Sequence, residues 1–255
     1  MNILDQIVEA TRDRVERDKR SGILSALSND RRSPLQFEKS LRCPGMSFIC
    51  EVKKASPSKG IIAEDFPYTD IACDYEEAGA AAISVLTEPD YFMGSDRYLS
   101  EIREAVDIPL LRKDFTIDPF QIEQAACLGA DAILLICTIL LQSQIAEYIK
   151  KADRLGLSCL VEVHDEDELI MALRAGARVV GVNNRNLKTF EVDTNNSIRL
   201  RALTPRDIVF VSESGIRTSE DITLLRQHGI DAVLIGESLM RSKDKKAMLE
   251  VLRHG

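Results

Sequence analysis

Charged residues recur in this chain where a buried strand should be ending. In "FICEVKKASPSKG", Phe48 to Gly60, an apolar run acquires Glu51, Lys53 and Lys54 and then breaks at Ser56-Pro57-Ser58. Side chains alternate along a strand, so Glu51 and Lys53 share one face while Val52 and Lys54 share the other. The same alternation puts Lys113 with Leu111, Glu162 with Leu160, Glu213 with Val211 and Asn183 with Gly181, and Arg185 lies just beyond Asn183. Ammonium and guanidinium groups bind carboxylate or phosphate, an ammonium can also act as an acid, and carboxylates can accept protons. If these residues point inward together, they must pair with one another or with a ligand, because an unpaired buried ion is strongly disfavoured.

The elements that would bring them together show as an echo along the chain. "EEAGAAAISVLTE", "ACLGADAILLICT", "LRAGARVVGVNNR" and "RQHGIDAVLIGES" each read as a helix stopped by a glycine (Gly79, Gly129, Gly176, Gly229) and followed at once by a buried strand. The spacing, roughly fifty residues, suits two βα units. The intervening strands are "SFICEVK", "IPLLRKDF", "LSCLVEVHD" and "DIVFVSESG", and helices are expected over Pro119 to Leu128, Gln142 to Leu155, Glu166 to Ala175 and Ser219 to His228. Eight such units predict a closed (β/α)₈ TIM barrel, with the charged strand ends at the face where such barrels build active sites. An open doubly wound sheet is disfavoured, because no G-x-G-x-x-G follows the first strand. Residues 1–47 are expected to form an N-terminal extension of two helices, the second starting at Ser33-Pro34, packed on the barrel within a single domain of residues 1–255.

Gly215 and Gly236 each end a strand just before a helical segment, where backbone N–H groups can approach an anion. With Ser214 and Ser56 nearby, this predicts a phosphate site. Glu237 counts against it unless its side chain turns away and only its N–H serves. His164 shares parity with Glu162 but is one step further out, and is read as a rim residue.

Composition excludes several classes. A chain of 255 residues that is 45% hydrophobic can bury a sizeable core, and its formal net charge of -8 argues against nucleic acid as a partner. Ile3, Leu4, Ile7 and Val8 have helical spacing without a signal-like apolar core, and no run is long enough to span a bilayer. The six cysteines contain no C-x-x-C pair and are read as small apolar residues in a reducing compartment, without disulfides or zinc. These features predict a cytoplasmic protein, monomeric or at most a weak dimer, with no membrane association.

The motifs themselves resemble a known family. "EVKKASPSKG", "LTEPDYFMGS", "LLRKDF", "LVEVH", "GVNNRNL", "SESGI" and "IGESLM", in that order from Glu51 to Met240, are similar to the signature of indole-3-glycerol-phosphate synthase. The resemblance implies ring closure, decarboxylation and dehydration of 1-(2-carboxyphenylamino)-1-deoxyribulose 5-phosphate to indole-3-glycerol phosphate, a carboxy-lyase step of tryptophan biosynthesis. It implies no metal and no organic cofactor. It further implies Lys113 as general acid, with a nearby cation such as Lys53 or partial desolvation lowering its pKa toward neutrality. Lys53 would position the substrate carboxylate or act as acid in dehydration, with Glu51 orienting it. Glu162 would stabilise the cationic intermediate and move protons, and Asn183 and Glu213 would hold hydroxyls. Arg185 would meet a carboxylate, Phe92 would pack the anthranilate ring, and Phe115 would contact substrate. Ser56, Ser214, Gly215, Gly236 and Glu237 would hold the phosphate. Two other readings stay open. A sugar-phosphate isomerase or epimerase on the same barrel would be separated by chelator sensitivity, and a non-catalytic phosphate-binding or scaffold protein would bind without turnover.

Overall fold

The structure, a computed structural model, describes residues 3–22, 24, 34–185 and 191–254. Eight parallel strands close into a barrel: β1 (Ser47–Val52), β2 (Ala82–Leu86), β3 (Leu110–Lys113), β4 (Ala132–Ile136), β5 (Ser158–Val163), β6 (Val179–Asn183), β7 (Val209–Glu213) and β8 (Ala232–Ile235). Each pairs with its sequence neighbours, and β1 closes the ring on β8 through Ser47 to Cys50 opposite Ala232 to Ile235.

The period-two pattern separates two cores. Ile49, Leu111, Leu134, Leu160, Val179, Val211 and Leu234 fill the barrel interior. Residues of opposite parity, such as Cys50, Val52, Val161, Val180, Phe210 and Val233, pack outward against the helices. Cys50, Cys137 and Cys159 are buried as expected, whereas Cys43 is exposed in the turn before β1.

The four echoed glycines all adopt positive φ, and in each case the next residue's N–H reaches back to the last helical turn, as in Ala80 to the Tyr75 carbonyl at 2.9 Å. The echo extends to the acids that follow. Asp131 accepts the Leu110 N–H at 2.9 Å and Asp231 accepts the Phe210 N–H at 2.8 Å, each tying one strand start to the next. The helices Pro119–Cys127, Glu166–Arg174 and Ser219–Gln227 begin on Asp118, Asp165 and Thr218, whose side-chain oxygens accept N–H groups of the first turn.

The N-terminal extension serves both ends of the barrel. Helix α1 (Ile3–Ser21) lies across the face where the strands end, with Leu4, Ile7 and Val15 buried. Helix α2 (Gln36–Ser40) plugs the opposite end, where Phe37 and Leu41 join the interior core and the Glu38 N–H donates to Ser158 Oγ at the start of β5. The expected start at Ser33-Pro34 is corrected. Ser33 lies outside the described residues, and the left-handed Leu35 (φ 58) after Pro34 delays the helix to Gln36. A left-handed residue cannot continue a right-handed helix, so Pro34 is not its first position.

Candidate active site

Lys113 is the last residue of β3, and its ammonium lies 3.5 Å from Glu162 Oε2 at the end of β5 and 3.7 Å from Glu213 Oε2 at the end of β7. Glu51, near the end of β1, forms a direct ion pair with Lys53 beside them. The three carboxylates are almost fully buried. Two glycines leave the space they occupy. A Cβ at Gly181 would lie 2.1 Å from Glu213 Oε1, and one at Gly236 would lie 2.4 Å from Glu51 Oε1 and 3.0 Å from Lys53 Nζ. Gly236 was expected to matter for anion approach; it also makes room for the Glu51–Lys53 pair.

This crowding sets the protonation states. Burial disfavours the Lys113 ammonium, but the charges of Glu162, Glu213 and Glu51 outweigh that effect and hold its pKa above the ordinary lysine range. The expected lowering by a neighbouring cation is therefore overturned: Lys53 is engaged by Glu51, and carboxylates surround Lys113. Burial pushes Glu213 up to about 8 despite Lys113, with Glu162 and Glu51 adding to the rise. Glu213 Oε1 has no hydrogen-bond partner among the described residues. Glu51 goes the other way, because Lys53 and Lys113 overcome its desolvation and lower its pKa.

Asn183, the last residue of β6, is oriented by three contacts. Its Oδ1 accepts the Arg185 N–H at 3.1 Å and Ser214 Oγ–H at 3.0 Å, so its amide faces Glu162 Oε1 at 3.4 Å. Behind it the buried Asn184 donates to Ser212 Oγ and to the Ser214 carbonyl, at 3.0 and 3.1 Å, which holds Ser214 in its left-handed conformation (φ 68). Asn186 and Leu187 of the "GVNNRNL" motif lie outside the described residues.

Phe92 and Phe115 line one wall of the cavity, with ring centroids 6.1 Å apart. Phe92 is presented by the short helix Pro89–Phe92, where the Glu88 carboxylate accepts the N–H groups of Asp90, Tyr91 and Phe92. Phe115 follows Asp114, a buried hub that the sequence reading did not single out. Asp114 accepts from Arg14 of α1 at 2.6 Å and from Thr87 Oγ1 at 2.6 Å, with Arg112 at 3.5 Å. Burial alone would raise its pKa, yet Arg14 and Arg112 lower it. Through this contact α1 is pinned over the site, where Ile3, Leu4 and Ile7 complete the lining.

Ser56, Ser214, Gly215, Gly236 and Glu237 line the same cavity of about 510 Å³, which also receives Arg185. Ser56 belongs to a two-stranded ribbon, Ala55–Ser56 paired with Gly60–Ile61. The Glu237 carboxylate is taken by Arg241 at 3.2 Å and faces Lys59 at 3.7 Å. Desolvation is outweighed by these cations and its pKa falls. Lys59, Ser238 and Arg241 were not picked out from sequence. Lys59 stands inside "SPSKG", whereas Arg241 meets Glu237 by the ordinary i,i+4 helical spacing.

His164 is not a rim residue: its side chain is only 18% exposed, between Glu162 and Glu168. The missed signal was Glu168, one helical turn into the next element. Among the described residues no group of three or more His, Cys, Asp or Glu is arranged to hold a metal ion.

A closed eight-stranded βα barrel with acids and lysines converging on one cavity at its strand ends defines a (β/α)₈-barrel enzyme. Its solved structural relatives share that fold, including a 3-hexulose-6-phosphate synthase from Salmonella typhimurium (TM-score 0.67, 14% identity, covering 82% of this chain and 97% of that one). KGPDC from Streptococcus mutans superposes with TM-score 0.63 at 12% identity, covering 81% of this chain and 95% of that one.

The sequence family is resolved more finely. The family described as indole-3-glycerol phosphate synthase matches residues 4–252. Indole-3-glycerol phosphate synthase of Ruminiclostridium cellulolyticum is 60% identical over 98% of both chains. That of Endomicrobium trichonymphae is 53% identical over 98% of this chain and 99% of its own. The chain belongs to the indole-3-glycerol phosphate synthase family.

Proposed function

We propose that the cavity converts 1-(2-carboxyphenylamino)-1-deoxyribulose 5-phosphate to indole-3-glycerol phosphate, with loss of carbon dioxide and water, as a carboxy-lyase. The observation that carries this reading is the Lys113 ammonium, buried within 3.7 Å of both Glu162 and Glu213 and facing a cavity lined by aromatic rings and by glycine-bearing turns.

The substrate phosphate lies against Ser56, Ser214 and the turns at Gly215, Gly236 and Glu237. The first N–H groups of a helix have no intrahelical acceptor, which suits them to phosphate, and Glu237's own carboxylate is turned to Arg241. The anthranilate ring packs on Phe92 and Phe115 beneath α1. Arg185 and Lys53 meet its carboxylate.

In the first step the ring carbon bearing the carboxylate attacks the ketone carbon, and Lys113 gives its proton to the ketone oxygen. The raised pKa of Lys113 is no obstacle, since the acceptor becomes an alkoxide, a stronger base than a free amine. The iminium cation that forms is stabilised by Glu162. Loss of carbon dioxide restores the aromatic ring. In dehydration the new hydroxyl departs with a proton from Lys53 or Lys113, while Glu162 takes a proton from the ring being formed. Glu51 holds Lys53, and Asn183 and Glu213 bind the sugar hydroxyls.

The chain acts as a monomer in the cytoplasm. Its net charge of -8 and 5% aromatic content favour the monomer. The test is simultaneous release of carbon dioxide and appearance of indole fluorescence from the carboxyphenylamino substrate, in equal amounts and with a chelator present. The chain has no tryptophan, so the signal is read against tyrosine alone. Binding without either product would overturn the assignment.

A further inference from the structure

His164 follows β5 directly and points to the same side as Glu162. Its Nδ1 lies 3.0 Å from Glu168 Oε2 and 3.2 Å from Thr138 Oγ1. Thr138 spends its own hydroxyl proton on Glu168 Oε1 at 2.7 Å, so both neighbours of Nδ1 are acceptors and Nδ1 carries a hydrogen. Glu168 also accepts the His164 backbone N–H at 2.8 Å, and the Asn196 amide donates to the His164 carbonyl at 2.9 Å, which fixes the ring from behind.

The other ring nitrogen then faces a choice. Nε2 is buried, has no hydrogen-bond partner among the described residues, and lies 3.6 Å from Glu162 Oε1. With Nδ1 protonated, a neutral ring would turn the Nε2 lone pair toward a carboxylate oxygen. A proton on Nε2 removes that conflict and gives an imidazolium flanked by two carboxylates. Asn183 already donates to Glu162 Oε1 at 3.4 Å, so an Nε2–H would complete that oxygen's contacts and leave Oε2 toward Lys113.

We propose that His164 is a positioning residue for Glu162: held as the imidazolium by Glu168, it presents Nε2–H to Glu162 Oε1 and fixes that carboxylate facing Lys113 and the substrate. This rests on the reaction assigned above. The titratable groups facing the ring are Glu162 from β5, Glu168 from the following helix and Glu213 from β7, the last protonated below about 8, with Lys113 beyond Glu162. Asp165 is committed to the Glu168 N–H at 2.9 Å. Burial works against the imidazolium, but Glu168 and Glu162 together raise the His164 pKa above 6.5. Activity that depends on the imidazolium is therefore present at low pH and lost as pH rises through the folded pKa of His164.

Two experiments on the 255-residue chain test this. The first needs no substrate: the His164 ring is titrated by NMR in the wild type, Glu162→Gln and Glu168→Gln. Both substitutions lower the His164 pKa if the ring lies between the two carboxylates. An unchanged titration in Glu162→Gln overturns the proposal. The second compares kcat and KM against pH. His164→Gln offers an uncharged N–H, so kcat falls roughly tenfold to a hundredfold with KM little changed, and the high-pH limb assigned to His164 disappears. Glu168→Gln shifts that limb to lower pH. A His164→Gln deficit with the limb retained overturns the proposal. A wild type that forms no indole product overturns the reaction and the kinetic role with it, while the ring titration still decides whether His164 and Glu162 are paired.

Discussion

Gly181 tests whether the carboxylate cluster is as crowded as its geometry implies. Replacing it by alanine puts a Cβ 2.1 Å from Glu213 Oε1 and 3.0 Å from Leu160 Cδ1, well inside the 3.4 Å at which ordinary contact begins. Glu213 is 2% exposed, so it cannot swing into water without leaving Lys113. Overpacking a filled interior costs about 1–3 kcal/mol, and Gly181→Ala should lose that much stability. The collision is chiefly with one side chain, so in a Glu213→Ala background the same substitution should cost less than about 1 kcal/mol, a coupling of roughly 1–2 kcal/mol in a double-mutant cycle. Urea unfolding of the four proteins at one pH, followed by far-UV circular dichroism because the chain lacks tryptophan, measures both quantities. Equal costs in the two backgrounds would refute the packing argument.

Other expectations follow from the same charges. Glu213 has its pKa raised from 4.5 to about 8 on folding, so between those values the folded state holds a proton that the unfolded chain has lost. Its contribution to stability therefore declines as pH rises across that window, by up to about 1.4 kcal/mol per pH unit. Glu213→Gln should remove this component, which urea midpoints of both proteins at several pH values would reveal; parallel pH profiles would contradict it. Arg14→Ala leaves the buried Asp114 without its closest cation and should cost about 3 kcal/mol or more. It should also raise KM by loosening α1 over the site, and an unchanged KM would show that α1 is held by its apolar face alone.

Much of this site was legible because a strand alternates with a period of two. Lys113, Glu162, Glu213 and Asn183 each share parity with an interior residue, so convergence followed once the strands were counted. Four helix-stopping glycines supplied that count. What could not be read depended on distance in the chain or on summed charge. Arg14 and Asp114 are a hundred residues apart and meet only because α1 folds back over the strand ends. The sign of the Lys113 shift needed the number of carboxylates around it, and sequence suggested a neighbouring cation where the fold supplies three acids. Gly181 and Gly236 looked like strand and turn residues, but their lack of a side chain is also what admits Glu213 and the Glu51–Lys53 pair. The start of α2 was misplaced because Leu35 adopts a left-handed conformation that nothing in its residue type announces.

The central claim is that Lys113 donates the proton that accompanies ring closure. The most direct measurement is turnover of the carboxyphenylamino-deoxyribulose phosphate by the wild type and by Lys113→Ala, followed by indole fluorescence, with substrate binding measured in parallel. Both proteins should bind substrate, and kcat should fall roughly 10²-fold or more in the variant. Turnover by Lys113→Ala at the wild-type rate would contradict the claim.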